Sequence, residues 1–300
     1  MISGTCFGYA VDSALPFAYL RDAERAERIS VRLGAEQGAR PRDAPALRWR
    51  PRPGRRWSAD LYRRGDGFAL SIAGAGWYEV NPTTRRILVP EGTEDMVRRE
   101  ERVWGIPTLL CFARRGDLPL HAAAVEVDGH AVVLAGPGCA GKTTLAAAFV
   151  AAGHRLLSED LCCLRSGVAW NVVPGPAMLR LRRDVTNAVR LPGADAVGID
   201  EDRVHFALAP SARGGCKPVP LAAVLLLRES SDGISLRRVE PARALPDLWA
   251  LSFRLPQHDD RARCFAGVAA LANAVPILDL ARPLTLDTLG RTVERVEEAI

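Results

Sequence analysis

The sequence lacks the features that mark zinc-binding, secreted or membrane proteins. None of its seven cysteines forms a C-x-x-C pair, which excludes the common zinc patterns and argues against a disulfide framework. The first residues have no basic segment followed by a long apolar core, so we expect no signal peptide. No apolar run is long enough to cross a bilayer. These absences indicate a cytoplasmic protein with reduced thiols and no membrane partner.

Aromatic residues and net charge are also low. Aromatics make up 6 % of the 300 residues, and the formal net charge is +5. This mild excess is consistent with phosphate binding, but it is too small to indicate a nucleic-acid partner. The arginine- and proline-rich stretch Arg40–Arg64 has no aromatic interleaving strong enough to form an RNA-binding platform. We predict a solvated loop there, with a docking surface for an acidic substrate as the alternative.

The chain divides into two predicted domains. Residues 1–115 form a β-rich N-terminal domain, because Phe68, Leu70 and Ile72 alternate with small or polar residues before glycine and Asn-Pro turn signals. From Glu94 to Arg114 the apolar period becomes helical, and Pro107 is expected to kink or split that helix. Residues 116–300 form the second predicted domain.

Four local patterns place elements in the second domain. Asp128-Gly129 joins two apolar runs as a β-hairpin. A helix follows from Lys142 to Ala152, and Val219 to Leu227 is typical of a central strand. The tail from Leu284 to Ile300 predicts an amphipathic helix.

A complete G-x-x-x-x-G-K-[ST] pattern lies between the hairpin and the helix. Glycines allow the tight turn that points backbone N–H groups at phosphate oxygens, and the helix N-terminus favours the same anion. The lysine reaches the β- and γ-phosphates, and the threonine hydroxyl can bind Mg²⁺. The sequence therefore predicts a site for ATP, or another nucleoside triphosphate, formed by Gly136, Pro137, Gly138, Cys139, Ala140, Gly141, Lys142, Thr143 and Thr144.

Two adjacent acids, Glu159 and Asp160, follow the helix after a short apolar strand. On an extended segment their side chains point in different directions, so one can approach a metal ion while the other faces an acceptor. Arg180 and Lys217 are candidates for phosphate or substrate contacts, because a cation near the transferred group stabilises developing charge.

These residues resemble the catalytic domain of HPr kinase/phosphorylase and related proteins. The shared features are His121 at a strand start, the loop from Gly136 to Thr143, and the Gly153 to Asp160 segment ending in two acids. The spacings agree without gaps over about 45 residues. The family's pair is two aspartates, so Glu159 departs from it, and the family's glycine-rich C-terminal signature is absent. The layout therefore resembles more closely the HPr-kinase-related proteins with a β-rich leader and without this signature, a group that includes lasso peptide kinases.

The resemblance implies an α/β fold of the type shared with phosphoenolpyruvate carboxykinase. It also implies roles: His121 assists the catalytic acid, Lys142 binds the β/γ-phosphates, and Thr143 with Asp160 holds Mg²⁺. Of Glu159 and Asp160, one is the base and one a metal-linked acid, and the sequence leaves the division open. Oligomers occur in such families, so an oligomer is compatible with this chain.

The leading hypothesis is an ATP-dependent kinase that phosphorylates a hydroxyl, such as serine, of a peptide or protein. Tailoring of a ribosomally made, lasso-type peptide is one form of this activity. A small-molecule hydroxyl kinase and a nucleotidyltransferase use the same loop, and they remain as alternatives. A nucleotide-dependent switch without catalysis is the alternative from another class, since it needs no acceptor base.

Overall fold

A computed structural model describes residues 2–35, 43–50, 58–92, 95–200, 202–255 and 258–300. Within these ranges the chain is a mixed α/β protein with three β-sheets. The strands are β1 (Ile2–Cys6), β2 (Tyr9–Ser13), β3 (Glu27–Ala35), β4 (Leu47–Trp49), β5 (Ala59–Arg64), β6 (Gly67–Ile72), β7 (Gly76–Asn81), β8 (Arg86–Pro90), β9 (Leu118–Leu120), β10 (Ala122–Val127), β11 (His130–Ala135), β12 (Arg155–Ser158), β13 (Cys162–Arg165), β14 (Asn171–Val173), β15 (Met178–Arg182), β16 (Ala194–Asp200), β17 (Arg203–Leu208), β18 (Val219–Glu229), β19 (Ser235–Arg238) and β20 (Ile277–Arg282). The helices are α1 (Met96–Val103), α2 (Ile106–Arg115), α3 (Lys142–Ala151), α4 (Arg183–Ala188), α5 (Pro241–Leu251), α6 (His258–Ala274) and α7 (Leu289–Glu297).

The N-terminal sheet has the strand order β1-β2-β3-β8-β7-β6-β5-β4. Strands β5 to β8 pair antiparallel in sequence order, which confirms the predicted hairpins. The pairs β2–β3 and β3–β8 are parallel, so the sheet is mixed.

The prediction of a solvated loop over Arg40–Arg64 is wrong in part. Strands β4 and β5 lie within this stretch and pair antiparallel, with Leu47 opposite Leu61. Leu61 is fully buried, so burial of apolar side chains outweighs the loop-like composition. Residues 40–42 and 51–57 lie outside the described residues.

The predicted split at Pro107 is confirmed. Helices α1 and α2 are separated at Trp104 and Gly105, and the proline stands in the first turn of α2, where its missing N–H removes no helical hydrogen bond. Glu94 lies outside the described residues. None of the helices in the described ranges has the length and apolar composition needed to span a bilayer.

The second sheet has three parallel neighbours, β11, β18 and β20. Its main strand order is β12-β10-β11-β18-β14-β13-β9, with β20 beside β18 and β19 beside β20. The predicted Asp128-Gly129 turn joins β10 to β11, and both turn residues have positive φ, 48° and 79°. The predicted strand from Val219 to Leu227 corresponds to β18.

Helices cover both faces of this sheet because strand side chains alternate between faces. Val132 and Leu134 of β11 pack in one buried cluster with α3 and α7. Val133 and Ala135 of the same strand pack on the other face with α5 and α6. The strand that leads into the glycine-rich loop is therefore held from both sides.

The C-terminal helix is shorter than the predicted Leu284–Ile300. Helix α7 begins only at Leu289, because the Thr288 hydroxyl donates to the backbone oxygen of Thr285 and holds a turn before it. Ile300 is 41 % exposed and does not join the predicted apolar face.

A third, small sheet has the order β15-β17-β16. Strands β15 and β17 pair antiparallel with Arg180 directly opposite His205. This sheet therefore brings two residues that are far apart in sequence to one place.

A buried arginine of the N-terminal region holds the end of β12. The guanidinium of Arg21 donates to the backbone oxygens of Leu156, Leu157, Gly175 and Gly214. Because Arg21 is 2 % exposed and each of its three guanidinium nitrogens donates a hydrogen bond, it fixes the strand that leads to the two acids.

The division at residues 115 and 116 stays a prediction. Helix α2 ends before Gly116, and β9 begins just after it. Buried side chains of Leu161, Cys163 and Val173, from the second half, nevertheless continue the core of the N-terminal sheet.

Glu100 of α1 is a buried acid in this N-terminal core. Its carboxylate accepts hydrogen bonds from the backbone N–H of Ala18 and Tyr19 and from the indole N–H of Trp104. Burial nevertheless raises the pKa of Glu100 from 4.5 to about 7.

Glu100 should make stability depend on pH. Between its unfolded pKa of 4.5 and its folded pKa of about 7, the folded state holds more protons, so stability falls as pH rises. The shift corresponds to about 3 kcal/mol of unfolding free energy. In urea unfolding at pH 4.5 to 8, Glu100→Gln should remove this component and flatten the dependence of the unfolding free energy on pH. Parallel plots of unfolding free energy against pH for the variant and the wild type would contradict this role of Glu100.

Candidate active site

The glycine-rich loop connects the carboxyl end of β11 to the first turn of α3. Gly141 is the residue preceding the helix and has a φ of 78°, in the left-handed region that glycine adopts without strain. The N–H groups from Lys142 to Thr144 have no acceptor within the helix. Together with the helix dipole they form a place for an anion. The predicted order of strand, loop and helix is present.

Lys142 lies within the curve of the loop. Its Nζ donates to the backbone oxygens of Gly136, at 2.8 Å, and Pro137, at 3.0 Å. The residue is 8 % exposed, while Pro137 and Cys139 face solvent. An anion bound by the loop N–H groups would therefore lie close to this ammonium group.

Thr143 connects the loop to the acidic pair. Its Oγ1 donates to Oε1 of Glu159 at 3.0 Å. Glu159 is 3 % exposed, and this burial raises its pKa against the lowering effect of the Arg180 charge. The resemblance implies that Thr143 and Asp160 hold the metal ion, whereas the structure shows Thr143 in contact with Glu159.

The guanidinium of Arg180 bridges both acids. Its Nε donates to Oε2 of Glu159 at 3.0 Å, and its Nη2 donates to Oδ2 of Asp160 at 3.1 Å. The planar fork of arginine suits two carboxylates at once. The predicted cation near the acids is thus present.

Asp160 has an uncommon backbone conformation. Its φ is 65°, and the N–H of Leu161 donates to the backbone oxygen of Glu159 at 2.7 Å, which closes a three-residue turn. Such turns are rare and strained, and strained residues cluster at functional sites. The turn directs the side chains of Glu159 and Asp160 to different sides.

His121 meets Asp160 on the exposed side of the site. Its Nδ1 lies 3.1 Å from Oδ1 of Asp160 and 3.1 Å from the backbone oxygen of the same residue. Desolvation by neighbouring protein atoms works to raise the pKa of this half-exposed carboxylate, but the His121 hydrogen bond and the Arg180 charge outweigh it, so the pKa of Asp160 lies well below its usual range. The carboxylate is therefore ionised at neutral pH.

Sequence reasoning missed two residues that support Arg180. Oε2 of Glu101, on α1, lies 3.9 Å from Nη1 of Arg180. Nδ1 of His205, on β17, lies against the other oxygen of Glu101. Both belong to elements distant in the chain, so no local motif could have indicated them.

Lys217 is placed away from these residues. Its side chain is 82 % exposed, and its ion pair is with Glu24 at 4.0 Å. Among the described residues, no contact connects Lys217 with the loop or the acids, so the structure does not support it as a phosphate contact.

Comparisons with known proteins identify a structural likeness but no family. No protein-family model matches this sequence, and no curated protein matches it. Among solved structures, the chain is similar to the HPr(Ser) kinase/phosphatase from Coxiella burnetii, at 13 % sequence identity and a TM-score of 0.33. The match covers 60 % of this chain and 96 % of that chain. A likeness this weak says nothing about activity, so the site is judged by its own residues.

The strained turn at Asp160 gives a prediction about stability. Asp160→Gly and Asp160→Ala both remove the carboxylate, but only glycine adopts this φ without strain. We expect the glycine variant to be more stable than the alanine variant by about 1 kcal/mol in urea unfolding. At ordinary positions alanine is the more stable of the two. An alanine variant at least as stable as the glycine variant would therefore contradict the strained geometry.

Proposed function

We propose that this protein binds ATP, or another nucleoside triphosphate, with Mg²⁺ and transfers the γ-phosphate to a hydroxyl. The acceptor in this proposal is a serine of a peptide or protein. The observation that carries the proposal is the hydrogen bond from Thr143 to Glu159. It joins a loop suited to phosphates directly to an acidic pair suited to metal binding and proton acceptance.

The triphosphate would lie along residues 136–144. The N–H groups of the loop and of the first turn of α3 donate to phosphate oxygens, and Lys142 contributes its positive charge to the β- and γ-phosphates. Bound phosphate would replace the backbone oxygens of Gly136 and Pro137 as the partners of the lysine ammonium.

The residues beside the loop fit Mg²⁺. The Thr143 hydroxyl and the Glu159 carboxylate are oxygen ligands that lie together, and Mg²⁺ prefers one or two protein oxygens combined with phosphate oxygens. Within the described ranges no cluster of three or more His, Cys, Asp or Glu side chains is arranged for a metal. The nucleotide would supply the remaining ligands, and the ion neutralises phosphate charge when bound.

Asp160 and His121 form the acceptor side of the site. The Asp160 side chain is 52 % exposed and that of His121 is 34 % exposed, so a hydroxyl can reach both. The acceptor oxygen forms a bond to the γ-phosphorus while the bond to the β–γ bridging oxygen breaks and the nucleoside diphosphate leaves. The hydroxyl proton passes to the Asp160 carboxylate, which His121 orients.

Arg180 positions the two acids for different roles. It sets the carboxylates of Glu159 and Asp160 in fixed positions before substrate binds, and its charge lies close to where negative charge develops during transfer. Because Glu159 is the acid that accepts from Thr143, we assign it to the metal side and Asp160 to the acceptor side.

A peptide acceptor is supported by the motif order shared with HPr-kinase-related proteins. Among these, lasso peptide kinases modify a precursor peptide, and we place the present reaction in the same class. All seven cysteines are free, which is consistent with a reducing cytoplasm.

The activity can be tested with γ-labelled ATP, Mg²⁺ and the peptides encoded beside this gene. Mass spectrometry should detect the addition of one phosphate to a peptide. A mass increase that corresponds to a nucleotide on the peptide would indicate a nucleotidyltransferase instead. Nucleotide binding with no modified product would favour a switch.

Two variants and a matched control test the assigned roles. Lys142→Met should lower the transfer rate at least about 100-fold, because it removes the charge nearest the γ-phosphate. Asp160→Asn should lower it about 100-fold or more while nucleotide still binds. Lys142 and Lys217 are the only lysines in the sequence, so Lys217→Met is the control and should retain activity. An active Asp160→Asn enzyme would contradict the proposed proton acceptor.

A further inference from the structure

A buried arginine lies against the phosphate loop without an acidic partner among the described residues. Arg282 ends β20 at the same sheet edge as the loop and is 2 % exposed. Its Nη1 donates to the backbone oxygen of Pro283 at 3.1 Å, and its Nη2 reaches that of Ala140 at 3.5 Å. Its Nε is buried and has no hydrogen-bond acceptor in the described structure.

This state differs from that of Arg21, which is buried, and of Arg180, which is partly buried. Arg21, equally buried, donates to four backbone oxygens, and Arg180 contacts three carboxylates. A buried cation without compensation is costly, and it is expected where an anion binds. Burial also lowers the pKa of Arg282, and no carboxylate of the described ranges opposes this shift.

The contact with Ala140 orients one peptide of the loop. In a trans peptide the C=O and the following N–H point in opposite directions. Because the Ala140 oxygen faces Arg282, the Gly141 N–H points away from this guanidinium. A Cβ at Gly141 would collide with Nη2 of Arg282, so guanidinium and loop are in close contact.

We propose that Arg282 is a positioning residue for the triphosphate. It fixes the Ala140–Gly141 peptide with the N–H directed at phosphate, and its buried positive charge is compensated when the anion binds. The inference rests on the proposed function only in requiring that the loop accept a triphosphate. It does not depend on which acceptor is phosphorylated.

Calorimetric titration of the full chain with ATP and with inorganic tripolyphosphate tests this role. Arg282→Met should weaken binding of both ligands about 10- to 100-fold, because the loss concerns phosphate and not the base. Arg282→Lys keeps the charge but not the fork, so it should bind with intermediate affinity. Arg243→Met removes an exposed charge on α5, which packs on the other face of the sheet, and should bind as the wild type does.

Thermal unfolding without ligand separates positioning from packing. Removal of an uncompensated buried cation should leave the melting temperature of Arg282→Met unchanged or raised, with a smaller increase on adding tripolyphosphate. Equal affinities of the wild type and Arg282→Met would overturn the inference alone. Weaker binding together with a lowered melting temperature of the unliganded Arg282→Met protein would also overturn the inference, because the loss of affinity would then follow from lost packing. If Arg282→Met does not fold, the same two measurements on Arg282→Lys decide between positioning and packing. A wild type that binds neither ligand would overturn the proposed function as well.

Discussion

Arg180 donates through Nε to a carboxylate, Glu159, that is 3 % exposed. A carboxylate this far from water requires a nearby cation, and without one it would take up a proton. The pair joins β15 to the turn after β12, and Thr143 adds the first turn of α3 to the same group. Glu101 of α1 also faces this arginine, so the N-terminal part of the chain contributes to the same electrostatic balance. Loss of Arg180 would therefore disturb the loop, the acids and α1 together.

Two neighbouring acids with opposite pKa shifts can perform different tasks. Burial raises the pKa of Glu159, whereas His121 and Arg180 hold the pKa of the half-exposed Asp160 low. The strained turn at Asp160 separates the two side chains, one towards the loop and one towards solvent. A second asymmetry concerns the arginines that flank the loop. Arg180 is already surrounded by carboxylates, whereas the partners of Arg282 within the described parts of the chain are backbone oxygens. The site thus combines one satisfied cation with one that an incoming anion would satisfy.

Local patterns predicted the elements whose geometry depends on nearby residues. The loop from Gly136 to Thr143, its flanking strand and helix, and the Asp128-Gly129 hairpin follow from turn chemistry and apolar periodicity. The supports of the site could not be predicted in this way. Glu101 and Arg282 reach it only through packing of distant elements, and burial, which gives Arg282 its unusual state, is not visible in the sequence. For the same reason the β-strands within the arginine-rich stretch were missed.

A crystal structure of the protein with a non-hydrolysable ATP analogue and Mg²⁺ tests the proposed site most directly. The phosphates should lie along the N–H groups of the loop, with the γ-phosphate next to Lys142 and facing Asp160. The metal should contact Thr143 and lie on the Glu159 side of the acidic pair. A nucleotide bound away from the loop, or a γ-phosphate directed away from Asp160, would contradict the central claim that this is a phosphoryl-transfer site.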